Sequence, residues 1–94
     1  MSRVELMQEA EALHHARDWR ALIALYEHAM PLYSTPLRRD AAWFNIALCY
    51  RELGETANAT RILRRLARES IEPVRSGAAE ELVRLAEAER GASP

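Results

Sequence analysis

Three histidines, a single cysteine and a set of closely spaced arginines are the side chains whose types could carry chemistry in this chain. Nucleophilic catalysis needs a nucleophile held beside a base. No Ser/His/Asp or Cys/His set falls at spacings that would bring such groups together, and no glycine-rich phosphate loop is present. All 13 basic residues are arginines, so no lysine Schiff base can form. Cys49 lies on an alanine-rich helical face, where it reads as a small apolar residue. One cysteine excludes an intramolecular disulfide and fits a reducing compartment. His14 and His15 are adjacent, so on a helix their side chains diverge by about 100° and one zinc cannot readily take both. With His28 and no partner at zinc spacing, the imidazoles read as solvent-facing. No catalytic residue, cofactor or metal ligand is expected, and the chain does not read as an enzyme.

Arg61, Arg64, Arg65 and Arg68 recur at i, i+3, i+4 and i+7, which sets them along one side of a helix. Three readings are open for this basic surface stripe: a solvated face paired with Glu69 and Glu72, a contact for an acidic partner protein, or a contact for nucleic acid. The stripe has no interleaved aromatics, and the formal net charge is -1. Both weigh against non-specific phosphate binding.

The elements that hold these residues are helical throughout. Ser2 followed by Glu5 is a capping box and starts the first helix. Leu6, Ala10, Leu13 and Ala16 then step along one face. Asp18 caps a second helix that buries Trp19, Leu22, Ile23, Tyr26 and Ala29. Pro31 ends it, because proline lacks the N–H of the next turn. Thr35-Pro36 restarts a helix in the favoured order of cap and first-turn proline. That third helix presents Ala42, Trp43, Ile46, Ala47, Tyr50 and Leu53, and Gly54 closes it with a left-handed cap. A fourth helix from about Thr56 presents Ala59, Ile62, Leu63, Leu66 and Ala67. Glu72-Pro73 is the next boundary, and a fifth helix runs from about Pro73 to Arg90 with Glu81, Arg84 and Glu87 to Glu89 on its outer face. The tail from Gly91 is expected to fray. The fold class read from this pattern is all-α, five helices joined by short turns in antiparallel pairs.

The chain aligns on itself when shifted by 37 positions. Leu6 falls on Trp43, Ala10 on Ala47, Leu13 on Tyr50, Leu22 on Ala59, Tyr26 on Leu63 and Pro36 on Pro73. A fixed period of this size marks stacked helix pairs. Trp43-x2-Ile46-Ala47-x2-Tyr50, then Gly54, Ala59-x3-Leu63 and Pro73, resembles the tetratricopeptide repeat (TPR). The match is strongest over Asp40 to Leu66. The first repeat is degenerate, with Glu9 at an apolar position and Arg17 at the glycine position. The resemblance implies a right-handed superhelical stack in one domain: repeat 1 over about 2–33, repeat 2 over about 36–71 and a capping helix over about 73–90.

In that family the first helix of each pair lines a concave groove. The corresponding residues here are Val4, Met7, Glu11 and His14 in repeat 1, and Ala41, Phe44, Asn45, Leu48 and Arg51 in repeat 2. The resemblance to the carboxylate-clamp subclass is partial: Asn45 is kept, but Leu48 stands at a clamp asparagine position and there is no lysine. Val4, Met7, Phe44 and Leu48 would supply burial, and Arg51, His14 and Asn45 orientation, for a helical or extended peptide. Alternatively the capping helix folds against Phe44 and Leu48 and fills the groove.

The function implied is a protein–protein interaction module, adaptor- or chaperone-like, whose partner is another protein or peptide. The alternatives are a structural unit forming a homodimer through the same patch, a fragment of a longer array, or a binder of acidic proteins or nucleic acid through the arginine stripe. The amino terminus lacks the apolar core of a signal peptide, and the longest apolar run, Ala21 to Tyr26, is too short to cross a bilayer. A cytoplasmic protein without a membrane partner is the expectation.

Overall fold

A computed structural model of the chain describes residues 1–92. Five α-helices follow in order: α1 (Arg3–His15), α2 (Trp19–Ala29), α3 (Pro36–Glu52), α4 (Thr56–Glu69) and α5 (Val74–Ala92), with a 3-10 turn at Met30–Leu32 between α2 and α3. No strand occurs among the described residues. The expectation of an all-α fold of five helices therefore holds. α5 runs on through Gly91, and the remainder of the expected frayed tail, Ser93 and Pro94, lies outside the described residues.

The helix starts follow local chemistry. At Ser2 both arms of the capping box form: Ser2 Oγ accepts from the Glu5 N–H at 3.1 Å, and Glu5 Oε1 accepts from the Ser2 N–H at 3.4 Å. Asp18 accepts from the Ala21 N–H and Thr35 from the Arg38 N–H, each at 3.2 Å. Each such cap is worth about 1 kcal/mol. α4 starts without one, because the Glu55 carboxylate is engaged by Arg20 from α2 and by Asn58. Pro31 does not stop the chain outright. It sits inside the 3-10 turn, where its missing N–H has no helical partner to lose.

The two inter-helix turns are built alike. Ala16, Arg17 and Asp18 donate backbone hydrogen bonds to Ala12, His14 and Leu13; Leu53, Gly54 and Glu55, 37 positions later, donate to Cys49, Arg51 and Tyr50. Arg17 and Gly54 both take positive φ, 57° and 76°. The period seen in the residue pattern is thus also present in the backbone.

Each helix packs on the next, and α5 also folds back onto α3, so that α3, α4 and α5 close on one another. The buried set runs through all five: Leu6 in α1, Leu22, Ile23, Leu25 and Ala29 in α2, Ile46, Ala47 and Cys49 in α3, Ala59, Ile62, Leu63 and Leu66 in α4, and Val74, Ala78 and Leu85 in α5. Ile46, Leu63 and Leu66 are fully enclosed, each worth about 2–3 kcal/mol of apolar burial. The molecule measures 47 × 30 × 16 Å, a flat slab rather than a ball.

Glu81 departs from its expected place on the outer face of α5. It lies on the Val74–Ala78–Leu85 stripe and is only 5% exposed. Arg51 reaches it from α3 at 2.9 Å, and Arg84 meets it from one turn on at 2.8 Å. Burial pushes its carboxyl up, but the hydrogen bonds and charges of Arg84 and Arg51 outweigh that and hold it below the ordinary range. A buried carboxylate so paired pins α5 to α3.

Candidate binding groove

α1 begins one end of the slab and packs on α2, leaving an opening between α1 and the amino-terminal half of α3. Leu6, Met7 and Ala10 of α1 form one wall, Ala41, Ala42 and Asn45 of α3 the other, and Tyr26 and Tyr33 the base. The cleft has a volume of about 250 Å³. Arg3, Arg38 and Leu32 stand at its rim. A smaller depression of about 100 Å³ continues along the same side, lined by His14, Trp19, Leu48 and Arg51, and shares Tyr26 and Asn45 with the first. The His14 and Trp19 rings meet edge to face there, with centroids 5.3 Å apart.

The polar groups of the cleft are uncommitted. Neither the Asn45 amide, the Tyr26 and Tyr33 hydroxyls, nor the Arg3 and Arg38 guanidiniums have a hydrogen bond or ion pair among the described residues. Burial raises both tyrosine pKa values, in Tyr26 with help from Tyr33 and Cys49, so both phenols stay protonated and able to donate. An amide that can donate and accept at once, beside two O–H groups over an apolar floor, can pair with a peptide backbone.

The residues expected to share one trough border four depressions, three of which share Asn45. Met7, Ala41 and Asn45 line the main cleft, and His14, Asn45, Leu48 and Arg51 line its continuation. Val4 and Met7 are 64% and 68% exposed. Phe44 is half-buried and faces α5, in a depression that adjoins the main cleft across Ala41 and Asn45. It forms this depression, of about 220 Å³, with Ala41, Asn45, Pro73, Val74 and Gly77. Glu11 lies apart with Gln8, Ala12 and His15. Arg51 is held by Glu52 and Glu81, which fixes its orientation. Tyr26, Tyr33, Arg3 and Arg38 were not singled out from sequence as groove residues. The half-apolar character of the tyrosines, at positions already assigned to the α2 face and the following connection, was the available signal.

Comparisons of the chain with protein-family models, with curated proteins and with solved structures find no match.

The arginine stripe lies elsewhere. Arg61, Arg65 and Arg68 border an open cleft of about 770 Å³ facing α2, α3 and α4, into which Trp43 and Tyr50 of α3 also project. The Arg65 guanidinium lies 5.8 Å from the Trp43 ring centroid and 3.8 Å from Asp40. Cys49 is buried, and desolvation, with the charge of Glu52, pushes its thiol up to about 11. A thiol so protonated is a poor nucleophile. Among the described residues no group of three or more His, Cys, Asp or Glu is placed to hold a metal, and no helix is long and apolar enough to cross a membrane.

Proposed function

We propose that the chain is a TPR-like protein–protein interaction module that holds a peptide segment of a partner in the cleft between α1 and α3. The observation that carries this reading is the combination in that cleft of an apolar floor with hydrogen-bonding groups left unused by the chain itself. Exposed Met7, with Leu6, Ala10 and Ala41, offers burial, while Asn45, Tyr26 and Tyr33 can read main-chain polar groups. Arg3 and Arg38 stand at the end where α1 and α3 begin. Their charges and the two helix amino termini favour a segment that is acidic at that end. The repeated turn at Arg17 and Gly54 supports the two-repeat reading, with α5 as the cap that closes α3 and α4. An adaptor or chaperone-like role in the cytoplasm follows from this reading.

Selection from a displayed library of short peptides tests it. The intact protein should enrich sequences with an apolar pair next to acidic residues. The Ala41→Arg protein, with its cleft filled, should not. Equal enrichment by both proteins would contradict the assignment.

A second reading rests on Val4 and Met7, which share one face of α1 and are well exposed. A second copy of the chain could cover that face in a symmetric dimer. Light scattering across a concentration series distinguishes the two, since a Val4→Glu variant would then shift the mass from dimer to monomer.

A further inference from the structure

The cleft beside α4 carries charge that the chain does not neutralise. Arg61 and Arg68 line it, with Arg64 on the adjoining face of α4; all three are exposed, and none has a carboxylate partner among the described residues. Glu69 has no ion pair among the described residues, and Glu72 is bound to Ser76 and Arg75. Among the described residues the stripe does not pair with Glu69 and Glu72, as one of the three readings had it; there only Arg65 meets an acid, Asp40. Like charges three and four positions apart on a helix repel one another. Four arginines within two turns of α4 thus repel one another, with Asp40 the one acid at ion-pair distance among the described residues.

Beside them lie half-buried Trp43 and Tyr50 and the edge of Ile62, an apolar and aromatic surface within reach of the same ligand. Together they form a basic edge next to an apolar strip, spanning about 10 Å from Arg61 to Arg68 along the helix. We propose that this cleft docks an acidic helical segment of a partner protein, with carboxylates at i and i+7 meeting Arg61 and Arg68 and one between them reaching Arg65. Nucleic acid suits the site less well. Glu27, Asp40 and Glu69 stand in the same cleft and would oppose a continuous phosphate chain, and Arg65 already covers the Trp43 ring on which a base would stack. Separate carboxylates on a helix can meet the arginines and avoid those three acids.

The site is distinct from the α1–α3 cleft, so its test is independent of that reading. The probe is a fluorescein-labelled, alanine-based helical peptide bearing glutamates at i, i+3, i+4 and i+7, with a glutamine version and a single-stranded oligothymidine as comparators. Binding is read by anisotropy at low salt. The glutamate peptide should bind, the glutamine peptide should not, and binding should weaken as salt screens the charges. Arg61→Glu/Arg68→Glu should lower affinity about tenfold or more, with circular dichroism unchanged because neither residue has a partner among the described residues. Arg75→Glu/Arg90→Glu, with the same net charge, should bind as the parent does. Failure of the glutamate peptide to bind, an equal loss in both charge reversals, or oligothymidine binding that depends on Arg61 and Arg68 in place of peptide binding would each overturn the proposal.

Discussion

Arg17 and Gly54 occupy the same place in two successive turns and share a left-handed backbone, with φ of 57° and 76°. Only one of them is glycine. A side chain at positive φ costs roughly 1 kcal/mol, so the first turn carries strain that the second does not. Arg17→Gly is expected to raise stability by about 0.5–1 kcal/mol, the relief being partly offset by the freer unfolded chain. Gly54→Ala should lower it by about 1 kcal/mol. A Cβ at Gly54 would meet nothing within 4 Å, so the whole cost there is backbone strain. Urea unfolding of both variants checks the pair. Equal responses of the same sign would show that the two turns are not equivalent.

Gly77 lies within α5 opposite Phe44, and a Cβ there would sit 3.7 Å from the ring, an ordinary packing distance. Gly77→Ala should therefore stabilise the protein by about 0.5–1 kcal/mol through helix propensity, with no clash to oppose it. A rise in melting temperature with an unchanged denaturant slope is the expected result. A fall would mean that α5 sits closer to α3 than described.

The Glu81 carboxylate joins Arg51 of α3 to α5 from a buried position. Glu81→Gln keeps the shape and removes the charge. It should cost about 1–2 kcal/mol at pH 7, less than for a fully buried pair because both arginines reach solvent. The acid limb gives a second reading of the same contact. Against the opposing push of burial, Arg84 and Arg51 hold the folded Glu81 carboxyl below its unfolded value. Its contribution is complete above the unfolded value and is lost as pH falls through the folded one. Unfolding free energy measured from pH 6 down to pH 3 should fall less steeply in Glu81→Gln than in the parent.

Cys49 provides the alkaline limb. Its thiol stays protonated in the fold up to about pH 11, while the unfolded chain ionises near 9. Between those values the unfolded state holds fewer protons, so stability falls as pH rises, by up to about 2–3 kcal/mol in all. Cys49→Ala should flatten that limb. The native thiol should also resist a disulfide reagent at pH 8 until denaturant is added. Rapid labelling of the native protein would show that Cys49 is not enclosed.

Local signals in the sequence located every helix to within a residue or two, since Ser2, Asp18, Thr35, Pro36 and Gly54 each act on their own backbone. Long-range pairing was not legible in the same way. Glu81 reads as a surface residue because glutamate normally is one, and only the arrival of Arg51 from 30 residues away makes its burial tolerable. The sequence placed several of the cleft-lining residues, Met7, Ala41 and Asn45, on α1 and α3, but not the way the depressions divide along α3. Phe44 and Asn45 are neighbours in sequence, yet a helix turns adjacent side chains by about 100°, so Phe44 meets only the α5 side while Asn45 borders both that depression and the α1 cleft. The partners of the arginine stripe could not be read from proximity in sequence, because Glu69 and Glu72 follow Arg68 closely without pairing to it.

The measurement closest to the central claim is a residue-by-residue map of peptide binding by ¹H–¹⁵N chemical shifts, using the peptide most enriched in the library selection. The largest shifts should fall on Met7, Ala10, Ala41 and the Asn45 side-chain amide, with α4 left unmoved. Shifts concentrated on Phe44 and Gly77, or on α4 alone, would place the binding surface outside the α1–α3 cleft and contradict the account.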